Sequence, residues 1–320
     1  MSKHKYTAKT TKYNMRIEDS KIAYLKEIYG DIGITKLIDT LIDEKIKGDF
    51  TKPNKIKSPI PRIGAKGTIS HQIVDLFPPQ EEYKVFIDLF GGGGSILLAK
   101  PKGGIEIFND INNDITTMFK EIKNHPMQLR EKILEMPISR KYFNEMRKVT
   151  SVPKDDIEKA ARAFYCIRNS FYGNKHQGFR SNIDRNPYKK MQSIADELIW
   201  ISDRLRDVFI ENRDWRYFFD REKYNNKDTL FFIDPPYILH GLKNNTLYET
   251  GFTVEENREL AKRANASPAK ICVNHYEHYM YNKWYKDWNK HQIDVPKRSA
   301  KEVDGKKPRA LENFYYNYDI

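Results

Sequence analysis

YKVFIDLFGGGGS, Tyr83 to Ser95, is an apolar run of strand length that ends in four consecutive glycines and then enters a helix at Ser95. IEIFND, Ile105 to Asp110, reads as the next strand. Strand, glycine turn, helix, strand is the order of a doubly wound α/β sheet, a fold that binds ligands outside the carboxyl ends of its strands. Upstream, His71 to Phe77 has helical spacing. Downstream, the pattern from about Asp114 to Asn226 is mostly helical, with Ile157, Ala160, Ala161, Phe164 and Ile167 at core spacing and one polar interruption, NSFYGNKHQGFRSNIDRNPY. Strand signal returns in DTLFFIDPPY, followed by a helix around Val254 to Ala264 and a strand in AKICVNHY. ENFYYNYDI alternates as a final edge strand.

The first fifty residues read as a separate small module. KYNMRI, Lys12 to Ile17, alternates polar and apolar residues as a short strand does. Glu18, Asp19 and Ser20 supply helix-capping chemistry, and Ile22, Leu25, Ile28 and Tyr29 follow at helical spacing. Gly30 to Gly33 breaks that helix, and Thr35 can cap a second with the face Leu37, Ile38, Leu41, Ile42 and Ile46. TKPNKIKSPIP, Thr51 to Pro61, carries three prolines and three lysines and reads as a linker.

The chain has 320 residues, 39% hydrophobic and 31% charged, which fits a globular protein with a full-sized core. It lacks both an uninterrupted run of roughly 18 apolar residues and the apolar core of a secretory leader, so a cytoplasmic, nucleoid-associated location is expected. Two cysteines, Cys166 and Cys272, make a disulfide framework implausible. The net charge of +12 favours a polyanionic partner, and nucleic acid fits better than a membrane surface because no basic amphipathic helix is present.

Two motifs carry the chemistry. The glycine turn lets backbone approach a ligand closely, but no third glycine completes G-x-G-x-x-G: Leu97 follows Gly92 and Gly94, and Ile96 follows Gly91 and Gly93. Asp110, at the end of the next strand, suits a pair of ribose hydroxyls. Together these describe a nucleoside-containing cofactor without requiring a pyrophosphate. The second motif is Asp234-Pro235-Pro236-Tyr237, a rigid turn at the end of the apolar strand Leu230 to Ile233. An adenine amino group is a poor nucleophile because its lone pair is delocalised into the ring. The Asp234 carboxylate and the Pro235 carbonyl could accept its two hydrogens and return density to nitrogen, with the Tyr237 ring stacked on a flipped-out base.

With both motifs in the order cofactor turn, recognition region, D-P-P-Y, the chain resembles the Dam-type DNA adenine methyltransferases from Pro59 to Tyr318. The resemblance implies a Rossmann-like methyltransferase sheet over 62–120 and 225–320, with a mainly helical target-recognition insertion over 121–224. It implies S-adenosylmethionine as cofactor, no metal, double-stranded DNA as partner, and transfer to adenine N6 by base flipping, as in restriction-modification systems. PRIGAKGTISHQIVDLFP resembles the family's opening segment, which implies cofactor roles for Lys66 and for Arg62, the latter where the family has an aromatic residue. Asp88, Phe90, Gly92, Gly94 and Ser95 match the cofactor turn, Asp110 the ribose acid, and Asp214 with Trp215 the motif that contacts the cofactor's adenine. RNSFYGNKHQGFR resembles the family's recognition stretch and implies DNA contacts from Arg168, Asn169, Tyr172, Lys175, Arg180 and Arg185. Seven Lys and Arg against one acid lie between Arg162 and Lys190. The module before residue 50 resembles a ribbon–helix–helix, in which two chains intertwine through their strands; that would make the protein a homodimer.

Other chemistries fit less well. Cytosine C5 methylation needs a cysteine nucleophile, usually after proline, whereas Cys166 follows Tyr165 and Cys272 follows Ile271. Cytosine N4 enzymes typically carry Ser where Asp234 stands. His275 and His278 belong to no cluster with metal-ligand spacing. The rival from another class is a DNA-binding regulator that keeps the methyltransferase fold without activity.

Overall fold

Phe86, Phe108 and Phe232 enter one apolar layer, while Ile87, Ile107 and Phe231, their chain neighbours, enter another. Strands apolar on both faces must be covered on both faces, and this requirement shapes the molecule. The computed structural model describes residues 2–8, 11–17, 45, 48, 50, 53–62, 64, 66–148, 152–174, 177–180, 186–237, 252–296 and 307–320, with 2–17 and residue 172 described by backbone. These fall into two units, Met1–Pro53 and Asn54–Ile320.

The first unit contains an antiparallel hairpin of β1 (Ser2–Ala8) and β2 (Thr11–Ile17), with Ser2 opposite Ile17 and Ala8 opposite Thr11. The strand expected over Lys12–Ile17 is therefore present. Within the chain it pairs with β1. The two expected helices fall almost wholly outside the described residues.

In the second unit α1 (Ser70–Val74) leads into β3 (Val85–Asp88), α2 (Ser95–Ala99) and β4 (Ile105–Asn109). Six helices follow: α3 (Asn113–Asn124), α4 (Pro126–Glu135), α5 (Arg140–Met146), α6 (Asp156–Arg168), α7 (Pro187–Asp196) and α8 (Leu198–Leu205). The chain then forms β5 (Val208–Glu211), α9 (Arg216–Phe219), β6 (Thr229–Ile233), α10 (Val254–Asn265), β7 (Lys270–Tyr276), α11 (Tyr279–Trp284), β8 (Asn289–Pro296) and β9 (Arg309–Tyr316). The seven strands of this unit's sheet lie in the order β5-β4-β3-β6-β7-β9-β8. The first five are parallel, and β9 runs antiparallel to both of its neighbours. This is the α/β doubly wound arrangement expected, mixed at one edge.

Side chains of α1, α2, α3 and α6, among them Ile73, Leu97, Phe119 and Phe164, cover one face, and Phe218 of α9, Leu260 of α10 and Tyr281 of α11 cover the other. Helix starts carry the capping chemistry their sequences announce. Asn112 accepts from the amides of Asp114 and Ile115, and Thr253 with Glu256 forms a reciprocal capping box.

Three expectations need correction. The helical region expected over 121–224 ends at Leu205, because Val208–Glu211 is the edge strand β5 and pairs with β4. The strand ENFYYNYDI is interior, since β8 lies outside it; β8, NKHQIDVP, escaped notice because its residues are mostly exposed and polar. Of the linker expected over 51–61, residues 54–61 belong to the second unit: Ile60 is in the core and Ser58 lies under the glycine turn.

Candidate active site

β3 and β6 are hydrogen-bonded neighbours, yet β3 leads on to β4 and β6 to β7 in the opposite direction. A crevice must open where connections diverge, outside the carboxyl ends of the two strands. The register sets Asp88 beside Phe232, so the turn after β3 runs alongside Asp234.

The turn is held by its own backbone. Gly91 donates to the Asn109 carbonyl at 2.7 Å and Gly94 to the Gly91 carbonyl at 2.7 Å. Gly92 and Gly94 have φ of 51° and 70°, the left-handed region that glycine enters without strain. Gly91 is required for a different reason: a Cβ there would meet the Phe108 ring at 2.2 Å. Asp110 braces the loop, accepting from the Gly92 amide and from the Asn112 amide at 2.8 Å each. Arg62, Lys66, Asp88, Phe90, Gly92, Ser95, Asp110 and Asp234 to Tyr237 all line the cleft that results. Gly173 and Asn174 of the helical insertion complete its wall.

Electrostatically the cleft floor is dense. Asp88 is 2% exposed, and burial, reinforced by Asp234 and Asp110, pushes its carboxyl up to about 8. The Lys66 ammonium is 3.1 Å from Asp234 Oδ2 and 3.6 Å from Glu312 Oε2, and it donates to the Gly64 carbonyl at 2.6 Å. Burial disfavours that charge, but Asp234 and Glu312 outweigh it and hold the lysine above its ordinary range. Lys66, expected at the cofactor, thus sits on the carboxylate of the D-P-P-Y motif. Tyr237 also departs from expectation. Its ring is 1% exposed and lies edge-on to Tyr276, centroids 4.6 Å apart, so it is packed rather than offered to a stacked base. Its hydroxyl donates to Asp234 Oδ1 at 2.7 Å.

A second slot adjoins the first at Phe90 and Ile111 and is lined by Asp214, Trp215, Phe252 and Glu256. Phe90 and Trp215 both stand edge-on to Phe252, at 5.6 and 6.4 Å between centroids. Asp214, just before α9, accepts from the Arg216 amide at 2.9 Å. Phe252 was missed in the sequence, where it stands alone between a polar loop and the cap residue Thr253.

The recognition residues divide. Arg168 is half-buried, donates to the Pro59 carbonyl at 3.1 Å, and is lowered to about 10 by burial. Asn169 is 8% exposed and returns its side chain to the Tyr165 carbonyl at 2.9 Å. Both therefore brace the fold through backbone carbonyls. Arg180 is exposed. Lys175, Arg185 and the side chain of Tyr172 lie outside the described residues.

Cys166 and Cys272 are buried, and burial drives the Cys272 thiol up to about 12, so neither is presented as a nucleophile. His275 stacks on Tyr281 at 3.5 Å, and His278 caps α11. Among the described residues no group of three or more His, Cys, Asp or Glu is placed to hold a metal ion.

The profile of D12 class N6 adenine-specific DNA methyltransferases matches residues 63–300. The chain belongs to this family. It is similar to the modification methylase StsI of Streptococcus sanguinis, 25% identical over 83% of this chain and 38% of that protein. It is also similar to the type II methyltransferase M1.LlaDCHI of Lactococcus lactis subsp. cremoris, 27% identical over 74% of this chain and 87% of that protein. A third relative, the type II methyltransferase M.MjaIII of Methanocaldococcus jannaschii, is 24% identical over 80% and 96%. The chain thus spans well under half of the first relative and most of the other two. The cleft at the β3–β6 switch point, lined in part by Asp234 to Tyr237, lies within the matched residues.

Proposed function

We propose that this chain methylates adenine N6 in double-stranded DNA, with S-adenosylmethionine as donor and the target base turned out of the duplex into the cleft. The observation that carries the reading is the placement of Asp234. Its carboxylate lines the cleft, is partly exposed, and is fixed from behind by Lys66 and Tyr237.

The residues present fit the cofactor. The Ser95 hydroxyl is buried at the cleft wall with no hydrogen-bond partner among the described residues, and a Cβ on Gly92 would meet the Phe90 carbonyl oxygen at 3.8 Å, an ordinary contact. Asp110 would hold ribose hydroxyls with the lone pairs that the Gly92 and Asn112 amides leave open. The aromatic slot of Phe90, Trp215 and Phe252, with Asp214 among its lining, offers the apolar faces and the carboxylate acceptor that suit a purine with an amino group. When bound, S-adenosylmethionine supplies a methyl group activated by a positively charged sulfur.

The chain's own residues then do the rest. Asp234 and the Pro235 carbonyl accept the two N6 hydrogens, which restores lone-pair density on nitrogen and aims it into the cleft. Because Lys66 and Tyr237 fix the carboxylate in advance, no reorganisation is needed as charge develops. Among the described residues no helix is long and apolar enough to cross a membrane. The relatives named as modification methylases and type II methyltransferases support a place for this chain as the modification activity of a restriction-modification system.

The test is methyl transfer from labelled S-adenosylmethionine to plasmid DNA, followed by digestion to nucleosides. N6-methyldeoxyadenosine is expected. Asp234→Ala should lower the single-turnover rate by at least two orders of magnitude, since one positioned electrostatic contact contributes about 3–4 kcal/mol. DNA and cofactor binding should persist. Label found in another base, or none in DNA, overturns the reading; it also separates it from a silent regulator.

A further inference from the structure

Glu312 ends a line of polar contacts that starts at Asp234 and leads away from the cleft. It lies on β9, 4% exposed, opposite Tyr276 of β7 and Ile293 of β8. Its Oε2 is 3.1 Å from the Tyr237 hydroxyl, which is in turn 2.7 Å from Asp234 Oδ1. The same hydroxyl meets the side-chain oxygen of Asn274. A phenol carries one proton; three acceptor oxygens surround this one, and the Lys66 ammonium donates to the phenol oxygen. That proton therefore has more than one seat.

A second buried carboxylate is not needed to hold the first. Lys66 lies within ion-pair distance of both but can neutralise only one. Burying an unpaired carboxylate costs several kcal/mol. Burial accordingly raises Glu312 above the ordinary carboxylate range; Asp234 adds to the rise, and Lys66, Asn274 and Tyr237 oppose it. The titratable groups facing Glu312 are Lys66 from the opening segment, Asp234 and Tyr237 after β6, and Tyr276 of β7, while β8 presents Ile293.

We propose that Glu312 is the inner acceptor of the proton that adenine N6 gives up, reached from Asp234 through the Tyr237 hydroxyl. This rests on the methyl-transfer reading above. Methylation replaces one N6–H bond with an N6–C bond. The nitrogen lone pair forms the new bond, and the electron pair of the severed carbon–sulfur bond stays on sulfur. The N–H pair returns to nitrogen, so one proton remains to be placed. Asp234 takes it along the existing hydrogen bond. It then passes to the Tyr237 oxygen as the Tyr237 proton moves to Glu312. Asp234 ends as a carboxylate paired with Lys66, as it began. Lys66, Asp234 and Glu312 go from one net negative charge to none, and the positive charge on sulfur is lost in the same event. These four charges sum to zero before and after.

Single-turnover transfer, with DNA and cofactor saturating, is to be followed across the acid-to-neutral range. The parent rate should rise with pH as Glu312 loses its proton and becomes able to accept. Glu312→Gln should lower the plateau by about a hundredfold, as loss of a general base does. It should also abolish the acid limb and leave DNA and cofactor affinities unchanged. An independent readout is infrared pH titration of the protein alone. The parent should show a carboxylic C=O band that titrates above the ordinary glutamate range and is missing in Glu312→Gln. If that variant does not fold, Tyr237→Phe replaces it and should lose the acid limb while keeping the infrared band. A variant at the parental rate, a slowed variant with its acid limb intact, or no Glu312-dependent band overturns the relay. A parent that leaves DNA unlabelled overturns the methyl-transfer reading itself, a different outcome from a labelled parent with an indifferent Glu312.

Discussion

The crevice at the carboxyl end of the sheet and the helical insertion beside it use charge in opposite ways. In the crevice, Asp234 and Glu312 share the Lys66 ammonium, and Asp234 in turn raises Asp88, so these groups set one another's protonation. In the insertion, arginines reach backbone carbonyls instead. Arg168 holds Pro59, and Arg162 holds Met146 and Lys148. Arg180, Lys189 and Lys190 remain exposed. Buried mixed charge couples side chain to side chain, and basic charge on backbone ties one element to another. A basic stretch is thus not a uniform DNA-binding surface.

The largest effect that would sharpen this contrast is at Gly173, where insertion and opening segment meet. Its φ is 67°, and a Cβ would lie 2.0 Å from the Pro61 carbonyl oxygen. Gly173→Ala should cost about 3 kcal/mol through left-handed strain and overpacking, measured by denaturant unfolding. An unchanged midpoint would mean that the two elements are not locked together. Arg168→Met, which keeps the apolar stem, should cost about 1–2 kcal/mol for the lost charged hydrogen bond and leave the salt dependence of DNA binding untouched. A shallower salt slope with full stability would break the comparison, because Arg168 would then be a phosphate contact.

Asp88 tests the crevice side through pH. Its folded-state value is raised from an ordinary 3.8 to about 8, so the folded protein holds a proton that the unfolded chain has lost. Stability from this group is full below the unfolded value and declines as pH rises to about 8. Asp88→Asn should flatten that decline in a series of thermal melts. A slope identical to the parent's would show that Asp88 is ionised throughout. The smallest effect is expected at Arg180. Arg180→Ala should leave stability within about 0.5 kcal/mol and make the log–log salt slope of DNA binding shallower by up to about one unit.

What could be read in the sequence was what local backbone geometry demands. Gly92 and Gly94 stand where φ is positive, and Asp234 follows a strand buried along its whole length, so short motifs were enough to place them. The role of Arg168 was not local: the same side chain could meet a phosphate or a carbonyl, and only packing against Pro59 decides. β5 and β8 were hidden because edge strands bury little, and Phe209 of β5 is 58% exposed. Glu312 left a trace that went unused. An acid directly before Asn313-Phe314-Tyr315, in a strand about to be buried, signals a partner elsewhere in the chain. Nothing in the sequence, however, links it to Lys66.

β9 follows β8 in the chain yet lies between β7 and β8, and among the described residues β8 has no other strand as neighbour. During synthesis the five parallel strands can pair as they emerge, whereas β8 must wait for the strand after it. A nascent chain without Arg309–Tyr316 carries an open, pairing-competent edge at β7, the kind of surface that invites aggregation. It also lacks Glu312, so Lys66 faces Asp234 alone. Closing the sheet and completing the crevice are therefore a single step, and a chain arrested short of it is at once sticky and chemically incomplete.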